Sequence, residues 1–564
     1  MLRPVWRRQL SCLLCIAALF TACQRRERDD RKRPSARSTP DSNVLQLTFT
    51  YGSEKQKWIE AATQAFHDTN PKLANGKKIR VEAIPLGSGE SIEELLEGRR
   101  QAHLTSPASL AFVKLGNAES RTRLGRDLIG PTENLVLSPV VIAMWKPMAE
   151  ALGWGRKPIG WSDVLSMARR EGGWAELGHP EWGHFKLGHT HPDYSNSGLI
   201  ALLAEVYAGT GKVSGLTLQD VANPQVGEFV GAIEKSIVHY GSSTGFFGRK
   251  MFSEGPGYLS AAVLYENMVI ESYLGTSAPQ LPVVAVYPKE GTFWSDHPVG
   301  IVEREWVTDE HRQAARAYID FLLARPQQER AMELGFRPAE ASIPLAAPLD
   351  SEHGIDPKEP RTTLEVPGAE VMHAVTQLWR AHKKHAYVVL ALDVSGSMKD
   401  EDKIVHARAG AAAFLDQLAD EDKVGLLVFS DELRWVAQEV ELGTGRAQLK
   451  GQVENLFAEG GTALYDAVAA AYGQVAETPS RDRIDAVVVL SDGADRDSKI
   501  GLDSLLERIG TGGESSTVRV FTIGYGSDAR AEVLQRIADQ TQAKFYEGKP
   551  ANIREVFKDI STFF

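Results

Sequence analysis

The stretch "VVLALDVSGSMKD", from Val388 to Asp400, decides how the C-terminal part of the chain folds. Val388 to Leu392 is apolar without alternation, the pattern of a strand covered on both faces. The run stops on Asp393, and Ser395 and Ser397 follow with only Gly396 between them. A strand that simply turned would not need three oxygen-bearing side chains there. Three more apolar runs follow, "KVGLLVFS", "DAVVVLSDG" and "VRVFTIGYG", separated by helical stretches such as "KIVHARAGAAAFLDQLA". This rhythm predicts a mostly parallel sheet with helices on both faces. Two further loops end in oxygen ligands: "FAEGGTALYDAV" places Thr462 after two glycines, and "VVVLSDGAD" ends a strand at Asp492. One sheet edge thus supplies Asp393, Ser395, Ser397, Thr462 and Asp492. Hard oxygens without Cys or His suit a hard cation such as Mg²⁺ (or Mn²⁺).

The set "DVSGS … GGT … SDG" resembles the metal-ion-dependent adhesion site of the von Willebrand factor type A domain, and the resemblance spans residues 387–564. It implies a Rossmann-like doubly wound domain. It also implies that Ser395, Ser397 and Thr462 touch the metal, while Asp393 and Asp492 act through water or as hydrogen-bond acceptors. Such a site leaves a coordination position for an acidic residue of a protein partner. Asp466, one helical turn beyond Thr462, reads either as support for the site or as ordinary charge at a helix start.

From Val44 the chain alternates short strands with amphipathic helices: "LQLTFTYGS" then "EKQKWIEAATQAFHDTNP", and "IRVEAIPLGSGES" then "IEELLEGRR". In such α/β units ligands gather at strand C-termini, near helix N-termini. The order of the "SNSGL" loop, the "LYENMV" segment and the run from "YPKEGTFWSDHP" to "GFRP" resembles a type II periplasmic solute-binding protein. That family is bilobed and closes over a small molecule. The resemblance implies lobes at about 44–135 plus 290–345, and at 136–289, within a 44–345 unit expected to fold alone. The candidate solute contacts are Ser53, Ser88, Ser106, Ser195, Ser197 and Glu266. The serines read equally as helix caps, and Glu266 as an acid paired with a base.

Four histidines, His179, His184, His189 and His191, fall within "LGHPEWGHFKLGHTHPD". They raise a zinc reading, although their spacing matches no familiar ligand motif. Residues 346–386 form a connector, proline-rich at first and then helical over "AEVMHAVTQLWRAHKKH", which leads into the strand at Tyr387.

The N-terminus begins with Arg3, Arg7 and Arg8 and the apolar run "LSCLLCIAALFTA". That run is short for a membrane span and fits an export signal over 1–22. "LFTAC" resembles a bacterial lipobox with Cys23 as the lipidated residue. Phe20 departs from the usual leucine-like residue, and an ordinary secretory signal is the alternative reading. Residues 23–43 carry almost no apolar side chain and read as a disordered tether. The three cysteines are Cys12, Cys15 and Cys23, so after such processing none would remain for a disulfide.

The chain has 564 residues, enough for several domains. Of its 63 Lys/Arg and 74 Asp/Glu, residues 1–37 hold ten and three, which leaves 53 bases against 71 acids beyond them. An acidic body argues against nucleic acid as a partner. No nucleophile–base pair accompanies the metal loops, so a binding protein is expected and not an enzyme. The expected location is outside the cytoplasm, on the cell membrane or outer membrane by a lipid anchor, facing the periplasm or the cell surface. The alternative function is the solute-binding component of an ABC transport system, with the C-terminal domain as a docking module.

Overall fold

The structure is a computed structural model that describes residues 43–564, apart from 276–278, 479, 481, 511–517, 527–528 and 542. The expected signal peptide, Cys23 and nearly all of the tether lie outside the described residues. Among the described residues no helix is long and apolar enough to cross a membrane.

Three sheets organise the described residues. The first has the spatial order Lys78–Leu86, Val44–Gly52, Leu104–Ser106, Pro298–Val302 and Ile129–Asn134. Val44–Gly52 and Leu104–Ser106 run parallel, whereas Pro298–Val302 enters antiparallel from far along the chain. The second sheet is built on the long strand Val136–Trp145, beside Ala261–Tyr265, Leu187–Thr190 and Ile237–Gly241. The chain therefore crosses from one sheet to the other at residue 135 and returns before residue 298, which makes the first part bilobed. The return segment divides its allegiance: Trp294–Ser295 and Arg337–Pro338 pair with Val136–Trp145 in the second sheet. This corrects the assignment of all of 290–345 to the first lobe. Both short strands lie against the start of the strand that leaves the crossover.

The third sheet has the order Leu433–Glu441, Lys423–Phe429, His385–Asp393, Arg483–Ser491, Arg519–Tyr525 and Phe545–Gly548. All neighbours are parallel except the edge strand Leu433–Glu441. Along His385–Asp393, Tyr387, Val389 and Ala391 face one apolar cluster, while Val388, Leu390 and Leu392 face another. The period-2 geometry of a strand turns a continuous apolar run into two covered faces.

The second of those clusters does not stop at the sheet. It runs through the connector into the core of the second lobe. Trp379, on the connector helix Ala369–His382, is 1% exposed, and the C-terminal Phe563 and Phe564 are 1% and 2% exposed. Phe563 lies 5.4 Å from His239 and 4.8 Å from Phe521, ring to ring, and its carbonyl accepts from Tyr240 N–H at 3.3 Å. At the rim, Lys558 Nζ bonds Glu93 at 2.6 Å. The second lobe of the 44–345 unit is thus covered by apolar side chains that come from beyond residue 345. Even the proline-rich half of the connector is packed, with Leu349, Ile355 and Leu364 buried.

Candidate functional site

The strands His385–Asp393 and Arg483–Ser491 are neighbours and parallel, so their C-terminal loops emerge side by side. Asp393 and Asp492 end up fully buried at that edge, Ser395 and Thr462 nearly so, and Ser397 half-buried. Asp393 Oδ1 accepts from Ser395 N–H at 2.8 Å, and its Oδ2 accepts from the Ser491 hydroxyl at 2.6 Å. The Ser395 and Ser397 hydroxyls lie 3.1 Å apart, and Ser397 Oγ donates to Asp492 Oδ1 at 2.8 Å. Gly396 N–H donates to the Gly460 carbonyl at 3.0 Å, which ties the first loop to the glycine-rich one. Thr462 is fixed from its backbone: its N–H donates to Asp497 Oδ2 at 2.7 Å, and its carbonyl accepts from Arg496 and Asp497.

All five residues of the pattern are thus at one edge. A Cβ at Gly493 would stand 3.6 Å from Thr462 Oγ1 and 4.0 Å from Ser397 Oγ, so the glycine keeps a point beside both hydroxyls clear. Burial pushes the Asp393 carboxyl up to about 6, and the Asp492 charge adds to this against the hydrogen bonds from Ser395 and Ser491. Two features fit a small hard cation: the donors are all oxygen, and the buried Asp393 carboxylate would gain from a positive charge.

Lys403 is a site residue that no motif indicated. Its ammonium bonds Asp492 Oδ2 at 2.7 Å, and both side chains are almost wholly buried. Ser491 stands directly before Asp492 in "SDG" and was legible as a neighbour of the motif. Asp466 goes elsewhere. Its oxygens accept from the N–H groups of Lys499 and Ile500 at 2.9 and 3.2 Å, so it braces the chain beyond the third loop.

In the bilobed part, one of the six proposed solute contacts, Ser53, bonds across the lobes, while Ser88 and the pair Ser195 and Ser197 bond within their own lobe. The Ser53 hydroxyl accepts from Gly245 N–H at 3.3 Å, and Ser88 Oγ accepts from Ala108 N–H at 2.9 Å. Ser106 Oγ reaches the His297 carbonyl at 3.5 Å. Ser195 and Ser197 both contact Thr244 Oγ1, at 3.2 and 3.0 Å. The lobes meet directly here, with Gly89 N–H on the Tyr194 carbonyl at 2.9 Å and Ser109 Oγ on Asn196 Oδ1 at 2.5 Å. A Cβ at Gly87 would stand 2.5 Å from the Tyr194 carbonyl oxygen, so glycine permits that approach.

Glu266 is corrected as a solute contact and takes its other reading, an acid paired with a base. It is fully buried, its oxygens accept from Arg337 Nε and Nη2 at 2.8 and 2.6 Å, and Tyr287 O–H donates to it at 2.5 Å. Both oxygens are engaged, so it anchors Arg337 instead of facing a solute. Next to Ser53 the chain buries a cluster that sequence reading missed. Lys55 Nζ lies 2.8 Å from Glu54 Oε1 and 3.1 Å from His297 Nδ1. Burial alone would raise the Glu54 carboxyl, but the Lys55 and His297 charges and hydrogen bonds outweigh it and hold it at about 2.

Family models match both parts of the chain. The family model described as "Bacterial extracellular solute-binding protein" matches residues 47–337, and the one described as "von Willebrand factor type A domain" matches residues 388–559. The "Uncharacterized protein sll0103" of Synechocystis sp. is 27% identical over 172 residues, 30% of this chain and 40% of that protein. The "Calcium-activated chloride channel regulator 3A-1" of Mus musculus is 28% identical over 180 residues, 31% of this chain and 19% of that one. The chain spans less than half the length of these curated relatives. Among solved structures, the periplasmic binding protein AfuA from Actinobacillus pleuropneumoniae is similar over 61% of this chain and 100% of its own, at 15% identity and a TM-score of 0.41. A von Willebrand factor type A protein from Catenulispora acidiphila is similar over 32% of this chain and 42% of its own, at 24% identity and a TM-score of 0.29.

Proposed function

Since the chain belongs to the bacterial extracellular solute-binding protein family through residues 47–337, and carries a von Willebrand factor type A domain over 388–559, we propose that it is an exported, lipid-anchored protein that binds a protein partner through a divalent metal. The observation that carries this reading is the convergence of Asp393, Ser395, Ser397, Thr462 and Asp492 on one sheet edge, with Gly493 keeping a point beside the Thr462 and Ser397 hydroxyls clear. Ser395, Ser397 and Thr462 would hold Mg²⁺ or Mn²⁺, and Asp393 and Asp492 would support it. Bound there, the ion supplies an electrophilic position that a carboxylate oxygen of the partner can take.

The chain's own residues do the positioning. Ser491 and the Ser395 N–H orient Asp393, and Lys403 holds one oxygen of Asp492 so that the other faces Ser397. A solute would enter at the junction of the lobes by replacing the bonds that now join Ser53 to Gly245 and Ser109 to Asn196. Domains of both kinds are binding modules, and the function rests on recognition, not catalysis.

The full chain is expected to bind one Mg²⁺ or Mn²⁺ in titration calorimetry, and Asp393→Ala to weaken that binding by about 10–100-fold, as loss of an outer-shell support does. Partner capture from membrane extracts should be abolished by chelator and by the same substitution, with the circular dichroism unchanged. Absence of any Mg²⁺ or Mn²⁺ binding by the wild-type chain refutes the metal site. Capture that persists in chelator refutes its role in recognition.

The anchor has its own test. Cys23→Ser should abolish acyl labelling, and either release mature protein to the soluble fraction or leave it unprocessed in the membrane, since stable anchoring needs more than one acyl chain. Equal labelling of wild type and variant excludes Cys23 as the acceptor.

A further inference from the structure

Of the four histidines in "LGHPEWGHFKLGHTHPD", His189 comes to lie against two carboxyls distant in the chain. His189 is on the strand Leu187–Thr190, Glu205 on the helix Asn196–Thr210, and Glu234 at the end of the helix Pro224–Glu234. All three side chains are fully buried, and one ligand atom from each lies within 4.8 Å of the other two.

The protons of this cluster can be traced. His189 Nδ1 is 2.7 Å from the Thr190 carbonyl oxygen. A carbonyl only accepts, so Nδ1 carries the hydrogen, and in a neutral ring Nε2 turns its lone pair toward Glu234 Oε1 at 2.9 Å. The other oxygen of Glu234 accepts from Tyr240 O–H at 2.7 Å and from Trp379 Nε1–H at 3.0 Å. With a neutral ring two acceptors would face each other there, so either a second ring proton or a cation lies between them. Glu205 sharpens the case, because both its oxygens are buried with no hydrogen-bond partner. An orphaned carboxyl in an apolar core is costly, and a few such groups in a native fold call for an explanation. Burial, and then the Glu234 charge, push the Glu205 carboxyl well above its ordinary range.

We propose that His189, Glu205 and Glu234 form a buried site for a first-row divalent transition cation, with zinc the best match to one imidazole and two carboxylates. Imidazole nitrogen and carboxylate oxygen are ordinary zinc donors, and His selects such ions over Mg²⁺. The surroundings have the form such sites take. The non-ligating nitrogen of His189 donates to a backbone carbonyl, and the outer oxygen of Glu234 is held by two donors. Because one of those donors is Trp379 of the connector helix, the site also fastens that helix to the second lobe. It is independent of the all-oxygen edge of the type A domain.

The test uses the full chain, exposed to zinc chloride, desalted, and analysed for metal by mass spectrometry. Wild type and Asp393→Ala should each retain one equivalent of zinc and melt at a higher temperature than in chelator, by ordinary linkage. Glu205→Gln and His189→Gln should lose the retained zinc and the thermal shift. Replacement of the ion by Co²⁺ should give the visible absorption of a nitrogen- and oxygen-ligated site in the wild type, a readout that does not depend on the variants folding. The proposal is overturned if folded wild type retains no zinc or Co²⁺. It is equally overturned if the folded variants retain as much as wild type. A zinc-free wild type that Glu205→Gln makes more stable would mean that the carboxyls share a proton instead.

Discussion

Replacing Arg337 by alanine is expected to destabilise the protein by about 3–5 kcal/mol, the usual result of removing one partner of a buried ion pair. Arg337 makes two parallel bonds to Glu266, whose side chain has no exposure, and donates to the carbonyls of Pro357 and Glu359 at 3.1 and 2.7 Å. Its guanidinium also lies 5.1 Å from the centre of the Trp294 ring. The substitution leaves a buried carboxylate with only Tyr287 beside it and frees two connector carbonyls. The double variant Glu266→Gln, Arg337→Met should be less damaging than Arg337→Ala alone, since no charge is stranded. Urea unfolding of the full chain measures both. A loss under about 1 kcal/mol for Arg337→Ala, the range of an exposed pair, contradicts the structural role given to Glu266.

Phe563→Ala should cost about 3–5 kcal/mol, as truncation of a buried phenylalanine does, and its pattern matters more than its size. The ring sits between His239 of the second lobe and Phe521 of the third sheet. A cavity there weakens both sides of one continuous apolar cluster. Scanning calorimetry should therefore show the bilobed part and the type A domain shifting together. If the wild type gives two separate transitions and Phe563→Ala lowers only one of them, the two parts are independent and the shared core contributes little.

This coupling bears on how the proposed binding events relate. The helices Lys403–Gln417 and Ile553–Ser561 pack on each other, and the first begins with Lys403, the partner of Asp492. The second leads into the two phenylalanines that sit against the second lobe. A change at the oxygen-lined edge therefore has a packed route to the bilobed part, through side chains that fill one core.

What the residues disclosed by themselves was what local chemistry specifies. The strands around Val388, Val424, Val487 and Val520 were legible because an uninterrupted apolar run has few other stable fates. The oxygen-lined edge was legible in part because Asp393, Ser395, Ser397 and Asp492 end or follow two strands whose placement follows from a parallel sheet, whereas Thr462 comes from a loop between two helices. Other features depend on partners that meet only in three dimensions. Glu266 finds Arg337 71 residues away, and His189 finds Glu234 45 residues away. A lone Glu in an apolar helix carries no mark of whether it faces a solute, a guanidinium or a cation. The electrostatics of a buried group are set by whatever the fold brings within a few ångströms of it, so the roles of Glu266, Lys403 and Glu205 were decided by tertiary structure. The same reason applies to Phe563 and Phe564: the packing of the second lobe against the third sheet determined where they are buried.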